Sequence, residues 1–576
     1  MSGSETLSDP SPGPSDNDNK GNESGSSSGG PEHEPEHHHA ASTSHEHDHN
    51  NDHNHGDHSD GESMPFYVAP RQRQRWSDDQ HAPHTDWGDI FFDLFYVAAA
   101  YNLGNLLRED PSARGLFYVV GCFFPIMSIW MNKMYYASRF YVVDDIFHRL
   151  FEVASLVPLA SAVLHIRTVP ILSDQEHNVD MFAFSLCITI AHAFTLARSV
   201  EIITCQKLFH TDGLYEEAYR NSRRDLVSVG VPTLFHLAAA IYSGTQYYGY
   251  NEGDDGSPKY AGESRTLAAA ADDPKYGYAQ ETDVAIFLNL AGALSGTIIL
   301  LIIVFVVFGG WFGRTVDFQQ QFVPMNIDYC IHRYGEWIML LLGESVLSLL
   351  IVDLSEGFDY YMTFFGGIIT VILLEYLHFQ SQPHDPDQHA QRRSRAAGFF
   401  FTCMMWVYSA SLIILGTSYK MFLFEFVYAD AAEERRTLFP IGDRFLAGGE
   451  SSALRFAVED RQQRIAHFFS GSLALVFFCL DATIIAHRGI SANVARLDKT
   501  WSANFTAAFL IFLRICLIGF AATISQYFTD PAQLAIIGMV CVVCQLILRV
   551  LFNFVLPDEK KEEQNALERV ANLLKT

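Results

Sequence analysis

Beyond about residue 80 the chain repeats one pattern, in which long apolar runs are broken by short polar connections. A bilayer core of roughly 30 Å is crossed by about 20 apolar residues in a helix. Runs at 89–107, 115–136, 146–166, 181–201, 225–246, 284–312, 332–354, 360–380, 395–424, 465–488, 501–523 and 531–556 approximate that length. Apolar and polar residues do not alternate within them, as the strands of a membrane barrel require. The pattern predicts an all-α, polytopic transmembrane helical bundle of about 12 spans. The run 284–312 is long enough to tilt, and 395–424 predicts one span followed by an interfacial piece from Phe422 to Tyr428.

The polar stretches set the domain limits. Residues 1–80 predict a disordered tail rich in His, Asp and Glu, because so few apolar groups cannot offset the entropy of ordering. Residues 81–558 form the membrane domain, interrupted by polar loops near 247–283 and 425–464, and 559–576 is a short charged C-terminal tail. Spans one and seven both open on a glycine and a carboxylate (Gly88-Asp89 and Gly335-Glu336) behind basic flanks. That likeness suggests two parallel six-helix repeats related by an axis along the membrane normal.

Composition refines this picture. Hydrophobic residues make up 49% of the chain and charged ones 18%, and the net charge of −27 sits largely in the tail, loops and termini. Such acidity gives no support to a nucleic-acid partner. The lipid bilayer is the partner that composition does imply. Most of the nine cysteines lie within apolar runs, where free Cys packs as a small hydrophobe. Cys541 and Cys544 form a CxxC on such a run, and it reads as core packing. The first 64 residues hold no apolar stretch of signal-peptide type, so the first span is expected to direct insertion.

Basic residues fix an expected orientation. Arg71, Arg73 and Arg75 precede span one, and Lys133, Arg139, Lys207, Arg220, Arg223, Arg224, Arg392, Arg393, Arg395, Arg488, Arg496 and Lys499 cluster in the connections after even-numbered spans. Positive charge stays inside, so both termini are expected in the cytoplasm. Asn22-Glu23-Ser24 supplies a sequon whose glycosylation would reverse that expectation. In the tail, His37, His38, His39, His47 and His49 interleave with carboxylates, a mixture that suits zinc or nickel weakly. A solvated low-complexity segment explains the same composition, and no cofactor motif occurs elsewhere.

Charges inside apolar runs are costly and therefore informative. Asp93 lies about one helical turn into span one. His332, Arg333 and Glu336 open span seven, and Glu344 follows near its midplane, where a charge costs at least ~2.5–3.5 kcal/mol. Asp145, His148, Arg149 and Glu152 share one helical face at the start of span three, spaced equally well for ion pairs, proton relay or metal ligation. Arg514, in mid-span, needs an acidic partner, for which Glu344 and Asp481 are the candidates. His192 and His236 read as bonded packing residues. Asp93, Asp145, His148, Arg149, His332, Arg333 and Glu336 fall at equal depth, so spans one, three and seven are expected to meet in one polar cluster, with Glu344 deeper below it.

Three motifs together resemble the low temperature requirement A (LtrA) membrane family. They are Phe91-Phe92-Asp93-Leu94 with the following Tyr-Val-Ala, Asp144-Asp145 with His148-Arg149-Leu150, and Arg333-Tyr334-Gly335 with Leu342-Gly343-Glu344-Ser345. The likeness runs in order over about residues 84–560, omits the tail, and departs at His332, where the family pattern has Glu. It implies a multi-pass membrane protein and no particular substrate or catalytic residue.

Two functions fit these residues. A proton- or cation-coupled transporter, or an ion-conducting protein, would use the buried carboxylates to handle a small ion or solute. A membrane-embedded regulatory or scaffold protein for growth under low-temperature stress would use them only to bond helices together. No HExxH, GxSxG or paired intramembrane Asp motif points to an enzyme.

Overall fold

The computed structural model describes residues 64–74, 87–141, 145–167, 175–209, 213–251, 278–302, 322–355, 357–383, 388–438, 450–488 and 501–555. The chain forms helices α1 (Trp87–Glu109), α2 (Ala113–Arg139), α3 (Ile146–Leu164), α4 (Gln175–Leu208), α5 (Glu216–Asn251) and α6 (Tyr278–Ile302). They continue with α7 (Ile327–Leu350), α8 (Phe358–Phe379), the single turn α9 (Ala390–Arg393), α10 (Arg395–Leu438), α11 (Glu450–Arg488), α12 (Trp501–Thr523) and α13 (Pro531–Val555). Among the described residues, eleven helices are long and apolar enough to cross a membrane. Helix α7 falls outside that group because Asp328, Arg333, Glu336 and Glu344 interrupt it, yet its 24 residues would span about 36 Å. The protein is an all-α, multi-pass membrane protein.

Outward faces carry the lipid-facing signature. On α3, Leu150, Val153, Val157 and Leu164 are all strongly exposed, and on α12 so are Phe505, Phe509, Phe512 and Ile515. Both sets follow helical spacing, so each helix turns one apolar stripe away from the protein.

Two polar segments differ from expectation. Much of the region near 425–464 is helix, since α10 runs on to Leu438 and α11 begins at Glu450. The stretch 429–438 is mostly Ala, Glu and Arg without Gly or Pro, which favours continued helix over an interfacial break. Residues 64–74, counted with the tail on composition, form an ordered strap containing strand β1 (Arg71–Gln72), antiparallel to β2 (Phe140–Tyr141). The amides of Ile146 and Phe147 donate to the Pro65 and Phe66 carbonyls, and the Gln72 amide donates to the Gly213 carbonyl. Gly213 sits at φ 86, a conformation that costs glycine little, where the turn meets Arg71.

The helices pack in a recurring way. Pairs α1–α2, α1–α3, α2–α6, α3–α4, α4–α5, α4–α6 and α5–α6 touch in the first half; α7–α8, α7–α10, α8–α13, α10–α11, α11–α12, α11–α13 and α12–α13 touch in the second. Helices α1 and α7 also pack on each other, as do α1 and α10.

Candidate functional site

Helices α1 and α7 meet in register. The Tyr329 hydroxyl donates to Asp89 Oδ2 at 2.9 Å, and the Arg333 guanidinium donates to Asp93 Oδ1 at 2.9 Å, both pairs 240 residues apart in sequence. One turn on, Tyr96 and Trp337 pack edge to face at 5.3 Å. Helix α7 is held at its start by Asn326, whose side chain accepts the Tyr329 amide.

Asp93 and Arg333 are each almost fully buried, so each needs partners. Asp93 also accepts from Trp130 Nε1 at 3.0 Å, and Arg333 holds Glu336 at 2.6 Å. Glu336 in turn pairs with His332 at 3.1 Å, and Lys133 closes on Asp89 at 3.2 Å. The result is a network across α1, α2 and α7 from Lys133 to His332.

The third expected helix contributes to a separate network. Asp145 caps α3 by accepting the His148 amide, and its Oδ2 takes both His148 Nδ1 and the Val68 amide at 2.7 Å. His148 Nε2 reaches Glu201 at 2.9 Å, and the Tyr67 hydroxyl donates to the same carboxylate at 3.0 Å. Burial opposes ionisation of Asp145, but the hydrogen bonds from His148 and Val68 outweigh it and hold the carboxyl below its usual range. Arg149 is exposed, and Glu152 pairs with Arg198 of α4 at 3.5 Å. One cluster joining spans one, three and seven is therefore replaced by two: α3 turns its polar residues toward α4 and the strap.

Deeper in the bundle, Glu344 is 5% exposed and accepts from Ser348 at 2.8 Å. Its neighbourhood includes Lys420 of α10, which is 1% exposed, donates to Asn105 at 2.9 Å and lies over the Tyr101 ring at 4.3 Å. Arg514 pairs with Asp481, not Glu344, and Gln545 joins the same carboxylate at 3.1 Å. His192 and His236 stack at 4.9 Å; His192 bonds Ser128 and His236 bonds Asn289.

Lys420 stands inside the apolar run 395–424 but is not among the charges singled out in the sequence. A cavity of about 920 Å³ is lined by α1 to α7, α9, α10, the strap and residues 322–325. Lys133, Arg139, Arg198, Arg392 and Asp225 supply charge to its wall, and Phe151, Phe194 and Trp406 are among its apolar surfaces. No short motif marks such a cavity, because its lining comes from many helices.

Among the described residues, no group of three or more His, Cys, Asp or Glu converges as a metal site. The candidate tail ligands His37, His38, His39, His47 and His49 lie outside the described residues, as do Asn22 and Asp144.

No curated protein and no solved structure matches the chain. The family model described as bacterial low temperature requirement A protein (LtrA) matches residues 85–249, from the approach to α1 almost to the end of α5. That stretch contains two of the three motifs that carry the resemblance, together with much of the cavity wall. Over residues 85–249 the chain is therefore similar to the LtrA family.

Proposed function

We propose that the protein is a proton- or cation-coupled transporter whose entrance is the large cavity and whose coupling charges lie along α1 and α7. The observation that carries this reading is Lys133, which lines the cavity and also pairs with Asp89 at 3.2 Å. Through Asp89 the cavity adjoins the charges around Arg333, and Glu344 lies farther along α7, near Lys420 of α10. Glu344 is about 12 Å beyond Glu336 along α7. Between the two charged layers stands an aromatic barrier of Tyr96, Trp130 and Trp337, in which the two indoles sit 4.5 Å apart. Ionisable side chains this deep are costly even when paired, and in membrane proteins they mark ion and substrate pathways.

The recurring helix pairs support a second part of the proposal, in which α1–α6 and α7–α13 are parallel six-span repeats counted without the short α9. The entrance then opens on the face where α1, α3, α5 and α7 begin, which basic residues assign to the cytoplasm.

Purified protein in proteoliposomes carrying a pH-sensitive dye tests the transport reading. Dissipation of an imposed proton or cation gradient above that of empty vesicles is expected, with loss in Glu344→Gln at unchanged thermal stability. Absent flux, or a variant that only misfolds, favours the scaffold reading.

A further inference from the structure

We infer that the cavity binds a small organic anion with an apolar or aromatic body. Among the described residues its wall carries four cationic side chains, Lys133, Arg139, Arg198 and Arg392, against one carboxylate, Asp225. The carboxylates that accompany these cations hold them unequally. Arg333, away from the cavity, makes contacts of 2.6 and 2.9 Å. Arg198 reaches Glu152 only at 3.5 Å and Arg139 reaches Asp225 only at 3.8 Å, the latter beyond hydrogen-bond distance. A guanidinium offers five N–H donors in a planar fork that matches a carboxylate. Carboxylate contacts this long leave guanidinium donors available to a bound anion.

The rest of the wall is mostly apolar, with Phe151, Phe194, Phe399 and Leu300 offering surface to a hydrophobic body. Arg198 also lies against two aromatic rings, 4.9 Å from Tyr136 and 5.1 Å from Phe151, which restrict its fork. A volume of about 920 Å³ suits a molecule of metabolite size with room for water.

This assignment rests on the cavity being the entrance of the proposed transporter, but binding can be read apart from flux. The probes are 4-phenylbutyrate, 4-phenylbutyramide and 4-phenylbutylamine, which share one apolar body and differ in charge. Binding to the full-length protein in nanodiscs is measured by titration calorimetry at neutral pH and moderate salt. The expected order is acid over amide over amine, with at least a tenfold gap between acid and amine. Arg198→Gln and Arg139→Gln should each weaken the acid about tenfold and leave the amide nearly unchanged, since only the acid uses a charge-assisted bond. Equal binding of the three, a preference for the amine, or no binding of the acid up to millimolar concentration overturns the inference. If a variant fails to fold, the order among the three probes on the unsubstituted protein still decides. Acid binding without flux supports this inference and sinks the transport reading, whereas cation flux without acid binding does the reverse.

Discussion

Asp93 of α1 and Arg333 of α7 form a 2.9 Å ion pair in which both side chains are only 3% exposed. Removing one member leaves the other charged and buried, which costs about 3–5 kcal/mol in comparable pairs. Arg333→Ala and Asp93→Ala should therefore each lower the thermal midpoint in detergent substantially. The exchange Asp93→Arg with Arg333→Asp should restore only part of the loss, because the new carboxylate would face Glu336. Full additivity of the two single changes, measured in a double-mutant cycle, would show that the pair does not couple.

The strap is predicted to depend on Asp145. Asp145→Ala removes the cap on α3, at about 0.5–2 kcal/mol, together with the acceptor for the Val68 amide. Limited proteolysis should then cut near Phe66 and Tyr67 faster than in the unsubstituted protein. Asp145→Asn keeps an N-cap oxygen and should show a smaller increase. Equal cleavage of all three proteins would mean that the strap is held by other contacts.

Acid should destabilise the protein in two separate windows. Burial pushes His389, outside the spans, down to about 3, so the folded state keeps it neutral. A histidine with a depressed folded value contributes stability that is fully present above its unfolded value near 6.5 and declines as pH falls toward 3. Asp145, also depressed, contributes stability that is lost only as pH falls below about 4. His389→Asn should flatten the fall in thermal midpoint between pH 6.5 and 4 and leave the lower window in place. An unchanged profile would contradict the assignment.

Small residues set the approach of α7 to α10. A Cβ on Gly416 would lie 2.9 Å from Ser345 Cβ, whereas Gly343 has nothing within 4 Å. Gly416→Ala is expected to cost about 1–3 kcal/mol through forced displacement. Gly343→Ala should be neutral or stabilising by up to about 1 kcal/mol, as helix propensity requires. Thermal unfolding of the two variants side by side checks the contrast.

The helices were legible in the sequence because bilayer thickness dictates the length of an apolar run. Even α7, with its four charged residues, showed itself as a run at 332–354. The charged residues of α1 and α7 were visible as exceptions to apolarity, and Asp93, Arg333 and Glu336 do meet. Their separation from Asp145 and His148 was not legible, since depth along a helix says nothing about which way its polar face turns. The extension of α10 through Leu438 was masked by charge, which reads as loop in a membrane protein but is compatible with a helix leaving the bilayer. Glu201 and Tyr67 complete the His148 network from distant parts of the chain, and no local pattern joins them.

The central claim, that the cavity is the entrance to a transport path, is tested most directly by blocking it. Ser199→Cys places a thiol on the cavity wall, where a charged methanethiosulfonate can attach. Proteoliposome flux is measured before and after reagent, against unsubstituted protein treated in the same way. The account predicts flux in both proteins and its loss only in modified Ser199→Cys, with recovery on reduction. Complete modification with flux unchanged would contradict it.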